Sequence, residues 1–111
     1  MEISVGHTPD SDDAFMFYGM FTDKVPSPDF TVNHVIEDIE KLNRKAIDPQ
    51  LDVTAVSVHA CAYIPGYTIL RSGGSFGIGY GPIVTAKKQM SIDEIKKCKI
   101  AIPGKMTSAF L

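Results

Sequence analysis

A chain of 111 residues, 44% hydrophobic and 22% charged, has enough apolar material for one packed core and too little length for two ordinary domains. Its small net charge of -2 argues against intrinsic disorder and supplies no basic surface for nucleic acid or an anionic membrane. The sequence opens without a secretory signal and contains no bilayer-spanning apolar run, so we expect a cytoplasmic protein.

The first half of the chain predicts strands that alternate with helices. Residues 2–7 alternate polar and apolar side chains, as a short strand does, and residues 12–22 are apolar enough to predict a helix buried on most sides. After a loop at residues 24–29, residues 30–35 predict a second strand. Apolar residues at helical spacing then predict an amphipathic surface helix over residues 37–46.

The second half continues the same alternation. Its predicted elements are strands at 51–56, 67–70, 83–86 and 99–102, short helices at 58–63 and 92–97, and a glycine-rich loop at 73–81. Strands that alternate with helices are typical of parallel pairing, so the fold class predicted is α/β, with a mainly parallel sheet flanked by helices.

The end of the sequence predicts an incomplete element. Thr107 and Ser108 resemble the start of a helix, yet the chain ends at Leu111, and a helix of four residues is not stable alone. We therefore expect a fragment of a longer protein. Its apolar tail should be disordered, folded back, or buried against another copy: Ile100, Ile102, Met106, Ala109, Phe110 and Leu111.

Residues 7–13 form the first candidate site. They place a histidine, two hydroxyls and three carboxylates between a strand and a helix, which is where open α/β sheets bind ligands. The alternative is helix capping by Thr8 or Asp10, with Asp12 and Asp13 complementing the helix dipole. A calcium loop is excluded, because Ala14 stands where an oxygen ligand is required.

The glycine-rich loop is the second candidate. It leads into a predicted strand rather than a helix and lacks a Gly-Lys-Ser/Thr ending, which argues against a phosphate cradle. A hinge or a backbone wall against a ligand fits better, with a plain structural turn as the alternative.

Ser57 and His59 follow the third predicted strand, but their spacing and the absence of a G-x-S-x-G turn argue against a hydrolase. Ser57 is better interpreted as a hydroxyl ligand or a helix cap, and His34 as a surface residue. Cys61 and Cys98 lie outside any C-x-x-C spacing and are predicted to be free thiols.

Four segments together resemble one family in order and spacing: residues 6–18, residues 52–57, the loop at 73–82, and residues 103–109. They are similar to the 1,4-dihydroxy-6-naphthoate synthase family of the futalosine route to menaquinone. The resemblance implies a fold like type II periplasmic binding proteins, with substrate between two lobes. Residues 1–98 would be lobe one and residues 99–111 the start of a truncated lobe two.

The resemblance also implies the site residues. The two substrate-binding segments correspond to Ala55, Val56 and Ser57 and to Thr107 and Ser108, and Thr8 joins them as a further candidate. The catalytic base of the family is a histidine that falls beyond Leu111, so no catalytic residue is expected in this chain. The substrate would carry a carboxylate, which suits hydroxyls and helix starts, and no metal or organic cofactor is required.

Two other functions remain open from the sequence. One is a cytoplasmic small-molecule binding protein on the same scaffold, and the other is the related chorismate dehydratase. A histidine facing the cleft from lobe two would favour catalysis over binding. Self-association through the truncated end is a further expectation.

Overall fold

The computed structural model describes residues 1–111. Three parallel strands form one sheet in the order β2-β1-β3: β1 (Glu2–His7), β2 (Thr31–Ile36) and β3 (Val53–Thr54). The helices are α1 (Ser11–Phe21), α2 (Ile39–Ile47), α3 (Val58–Cys61) and α4 (Ile92–Ile95), followed by a 3-10 turn at Ser108–Phe110. The predicted α/β class with a parallel sheet is confirmed. No helix is both long and apolar enough to cross a membrane.

The core lies where α2 packs on the central strand. Val5 of β1 and Leu42 and Ala46 of α2 are buried. Gly6 permits this approach, because a Cβ atom there would lie 2.6 Å from Leu51 Cδ1 and 2.9 Å from Leu42 Cδ2. The helix therefore packs closely against the sheet.

Helix α2 is confirmed with shifted bounds, since it was predicted over residues 37–46 and runs from Ile39 to Ile47. The Asp38 carboxylate accepts a hydrogen bond from Lys41 N at 3.0 Å and caps the first turn. The same bond and the nearby Lys41 side chain lower the pKa of Asp38. Arg44 pairs with Glu40 at 2.8 Å, one turn away on the helix surface.

Helix α1 departs from the prediction of a helix buried on most sides. Phe15 is 84% exposed and Tyr18 53%, and Asp13 is the buried residue of the helix. The prediction took apolar density as a sign of burial, but no other part of the chain covers this face. The exposed side of α1 is therefore an unpartnered apolar surface.

The predicted strands at residues 67–70, 83–86 and 99–102 are wrong, and the strand predicted at 51–56 is reduced to β3. Residues 68–89 and 99–102 are exposed and pair with no strand of the sheet, so their backbone N–H and C=O groups have no neighbouring strand as partner. The apolar tail folds back only in part: residues 104–108 contact α2 and α3, while Phe110 and Leu111 stay exposed.

Candidate functional site

The carboxyl ends of β1 and β3 lie at one edge of the sheet, because the two strands are parallel neighbours. Thr8 follows β1 and Ser57 lies shortly after β3. The glycine-rich loop reaches the start of α1 nearby, where Ser75 Oγ donates to the Asp12 carboxylate at 2.5 Å. The gathering of these three segments at the carboxyl edge, where such sheets bind ligands, is confirmed.

Asn43 of α2 joins two distant segments at this edge. Its Oδ1 accepts from Ser57 N at 2.8 Å, and its Nδ2 donates to Ser57 Oγ at 3.1 Å and to the Met106 carbonyl at 3.2 Å. The side chain is fully buried. One carboxamide therefore connects residue 57 with residue 106.

Glu40, one turn earlier on α2, holds the same distant segment, since its Oε2 accepts from Met106 N at 2.9 Å. Sequence reasoning missed both residues. A signal was present for Asn43, which stands four residues from Ile39 and from Ile47, within the apolar stripe of α2. A polar residue on a buried stripe requires hydrogen-bond partners.

His59 of α3 makes the second connection. Its backbone N–H donates to Ser108 Oγ at 3.2 Å, and its ring Nδ1 lies 3.3 Å from the Thr107 carbonyl. Because a carbonyl only accepts, this contact requires the ring proton on Nδ1. His59 makes no hydrogen bond with Ser57, which agrees with the absence of a serine–histidine pair.

The predicted segments 55–57 and 107–108 are therefore brought together. One hydroxyl in each segment accepts a hydrogen bond from within the chain. Ser57 Oγ accepts from Asn43 and Ser108 Oγ accepts from the His59 backbone. Each hydroxyl then keeps its own hydrogen for donation. Free hydroxyl donors on two segments that the Asn43 and His59 contacts join suit an acceptor such as a carboxylate.

Other predicted site residues have their polar groups occupied. The Thr8 hydroxyl donates to the Asp13 carboxylate at 2.9 Å, and the Thr107 hydroxyl donates to the Gly104 carbonyl at 2.7 Å. The Ala55 backbone N–H donates to the Gly6 carbonyl at 2.8 Å, which extends the pairing of β1 and β3. Val56 is half-buried beside Ser57.

The expectation that helix dipoles suit an anion here needs correction. Helix α3 has four residues and the 3-10 turn has three, so neither has the length for a substantial dipole. Thr107 precedes the turn without a capping hydrogen bond from its side chain. Any attraction for an anion at this site must therefore come from hydroxyl and backbone N–H donors.

The capping expected from Asp10 at the start of α1 is also corrected. The Asp10 side chain makes no capping hydrogen bond. Instead, the buried Asp13 carboxylate accepts from Thr8 N at 2.6 Å and from the Thr8 hydroxyl. Asp13 therefore fixes the turn between β1 and α1.

A histidine pair lies on the other side of this turn. His7 Nε2 and His34 Nδ1 are 3.1 Å apart, and both rings contact Phe21, with centroids at 5.2 and 3.9 Å. Burial lowers the pKa of His34, and the neighbouring His7 lowers it further. His34, expected to be a surface residue, is half-buried by these contacts. An open cleft of about 340 Å³ adjoins the pair, lined by His7, Thr8, Pro9, Ala14, Tyr18, Phe21 and Ile36.

No group of three or more histidine, cysteine or acidic residues is placed to hold a metal ion. Cys61 and Cys98 are free thiols, as predicted. The Ser57 and Ser108 hydroxyls can donate hydrogen bonds to an acceptor.

A parallel sheet with helices between its strands and polar side chains gathered beyond its carboxyl ends defines an α/β protein of the open-sheet class. Residues 3–111 match the family described as menaquinone biosynthesis, and the chain belongs to that family.

Two relatives show how much of a family member is present. A 1,4-dihydroxy-6-naphthoate synthase of Thermus thermophilus is 36% identical over 109 residues, which are 97% of this chain and 39% of that protein. A crystal structure of a protein from Archaeoglobus fulgidus is 53% identical with a TM-score of 0.72, over 82% of this chain and 34% of the other. The chain therefore spans well under half the length of these relatives, consistent with one lobe.

Proposed function

We propose that this chain is the first substrate-binding portion of a 1,4-dihydroxy-6-naphthoate synthase. The reaction converts cyclic dehypoxanthine futalosine to 1,4-dihydroxy-6-naphthoate within menaquinone biosynthesis. Membership of the family and the 36% identity to the Thermus thermophilus synthase support this assignment. Residues 1–98 would form lobe one, and residues 99–111 would begin lobe two.

The observation that carries the proposal is the convergence of Ser57 and Ser108 as free hydroxyl donors. Their oxygens already accept N–H groups, so their hydrogens are free to donate to a ligand acceptor. The substrate carboxylate is such an acceptor. Thr107, Val56 and Ala55 would shape the surrounding surface, and Thr8 would support the site through Asp13 rather than by direct contact.

The chain supplies binding rather than the catalytic base. His7 is buried against His34, and His59 is bonded to Thr107, so the ring of each is engaged in internal contacts. The base would come from a histidine beyond residue 111. Without a base, general-base catalysis of about 10²- to 10⁴-fold is lost, together with the positioning that a closed cleft provides.

Nuclear magnetic resonance titration with cyclic dehypoxanthine futalosine tests the proposal. We expect binding in roughly the millimolar range and shifts centred on Ser57 and Ser108. Ser57→Ala should weaken binding about tenfold, because it removes a hydrogen bond to a charged acceptor. Ser27→Ala, in the loop after α1, is the matched control and should leave the affinity unchanged.

A parallel assay for 1,4-dihydroxy-6-naphthoate should detect no turnover by the chain alone. Turnover at the rate of a full-length synthase would show that the base lies within residues 1–111. Absence of any shift at Ser57 and Ser108 under saturating substrate would refute the binding role.

A further inference from the structure

Asn43 is the buried polar residue on which the candidate site converges. It is fully buried on the face of α2 that packs against the sheet. Its partners, Ser57 and Met106, are separated from it by 14 and 63 positions in the sequence. A polar side chain buried in this way is stable only when its hydrogen-bonding groups are satisfied, and here all of them are.

The backbone partners fix the orientation of the Asn43 carboxamide. Ser57 N–H can only donate, so the atom 2.8 Å from it must be the Asn43 oxygen. The Met106 carbonyl can only accept, so the atom 3.2 Å from it must be the Asn43 nitrogen. The two contacts agree, and the amide has one allowed orientation.

This orientation also determines the polarity of the Ser57 hydroxyl. One hydrogen of Asn43 Nδ2 is directed to Met106, and the other is directed to Ser57 Oγ at 3.1 Å. The serine oxygen is therefore an acceptor toward Asn43. Its own hydrogen has no partner within the chain and is free to donate outward.

We infer that Asn43 is a positioning residue, which holds the 106–108 segment against α3 and orients the Ser57 hydroxyl as a donor to the substrate carboxylate. This inference rests on the proposed function. Glu40 assists by accepting from Met106 N on the same helix. Asn43 itself, being fully buried, contacts the ligand only through Ser57.

Asn43→Asp is the test, because it keeps the size of the side chain and replaces the donating amino group with an acceptor. The new oxygen would face the Met106 carbonyl, and Ser57 would turn its hydrogen toward the carboxylate. We expect at least about tenfold weaker binding of cyclic dehypoxanthine futalosine at neutral pH. Binding should recover partly as the pH falls, because protonation of a buried carboxyl restores a donor.

The chain contains one other asparagine, Asn33, exposed on β2. Asn33→Asp makes the same chemical change away from the site and should leave the affinity and its pH dependence unchanged. Ser57→Ala should lose affinity without the recovery at lower pH. This difference separates an effect on hydroxyl polarity from a general loss of structure.

A second measurement uses the unmodified chain. The side-chain amide hydrogens of Asn43 should exchange with solvent far more slowly than those of Asn33. This result would support the positioning role of Asn43 even if Asn43→Asp does not fold. Exchange at the Asn33 rate would overturn the inference.

The outcomes separate the two proposals. A folded Asn43→Asp chain that binds as tightly as the unmodified chain would overturn the inference and leave the proposed function standing. Failure of the unmodified chain to bind at all would overturn both.

Discussion

Gly104 determines how the 104–108 segment approaches α2. Its φ of 148° lies in a region that other residues rarely adopt, and a Cβ atom there would lie 2.3 Å from the Glu40 carboxyl carbon. The segment contacts α2 closely because this position has no side chain.

Gly104→Ala should therefore displace Glu40 and break its contact with Met106. We expect a loss of at least about 1 kcal/mol in the free energy of unfolding, measured by urea denaturation. Gly81→Ala is the control, since open space surrounds that position, and it should change stability by less than about 0.5 kcal/mol. Equal effects of the two substitutions would contradict the role of Gly104.

The histidine pair predicts a dependence of stability on pH. Because the pKa of His34 is lowered in the folded chain, folding favours the neutral ring. The unfolded chain binds a proton near the ordinary value of about 6.5, so stability falls as the pH drops through that value toward the lower folded pKa. Above it, the stabilising difference is fully present.

Urea denaturation from about pH 8 to about pH 5 measures this fall. His34→Gln should reduce the pH dependence, although it also removes the stacking on Phe21. The lowered pKa values of Asp38, Asp52 and Glu94, which come from hydrogen bonds to their carboxylates, act only at more acidic pH. Stability that stays constant across the range would contradict the role of His34.

Residue types located Ser57 as a candidate and the family resemblance added Thr107 and Ser108, but neither identified the side chains that hold them. The sequence places Asn43 and Met106 on separate segments, and only the packing of α2 shows that they meet. Long-range hydrogen bonds of this kind leave a weak local signal: one polar residue within an apolar stripe.

At the scale of elements, the start of α1 depends on Asp13 more than on Asp10. Asp13 is buried and accepts two hydrogen bonds from Thr8, whereas the Asp10 side chain makes no capping bond. Asp13→Ala should reduce the free energy of unfolding by about 2 kcal/mol, because it leaves a buried N–H without its acceptor.

Asp10→Ala should change it by less than about 0.5 kcal/mol. Thermal unfolding followed by circular dichroism compares the two variants. A larger loss of stability from Asp10→Ala than from Asp13→Ala would show that Asp13 is not the carboxylate that fixes the turn.

The first two strands and α2 were predictable from their side-chain patterns, whereas the later strands were not, because they lack a partner in the chain. Helix α2 has its cap, its apolar stripe and its surface ion pair between Asp38 and Ile47. The segments at 67–70 and 83–86 have suitable side chains for strands, but a strand also requires a neighbour, and the chain offers them none. Side-chain pattern predicts which segments can pair, not whether they do.

At the scale of the whole molecule, the chain is less compact than a domain of its length. Its radius of gyration is 16.9 Å, against roughly 13 Å for a compact domain of this size. Phe76 and Ile78 are 81% and 89% exposed within the extended segment at 68–89. Large apolar side chains exposed in this way favour association.

We therefore expect the purified chain to self-associate as its concentration rises, measured by light scattering. Replacing Phe76 and Ile78 together with serine should shift the population toward monomer without changing the circular dichroism spectrum. Ile92→Ser, at an exposed position on α4, is the control and should have a smaller effect. A chain that is monomeric at all concentrations would exclude this interaction.

Residues 104–108 pack on α2 and should stay bound to it after proteolytic cleavage of the segment between them. The exposed segment contains Arg71, Lys87 and Lys88, where trypsin can cleave, whereas Glu40 and Asn43 hold Met106 from the other side of the cut. A single nick there would break the covalent path but not these hydrogen bonds. The two fragments should migrate together in native gel electrophoresis and separate in denaturant. The binding residues before and after the cleavage site would then remain in one non-covalent complex.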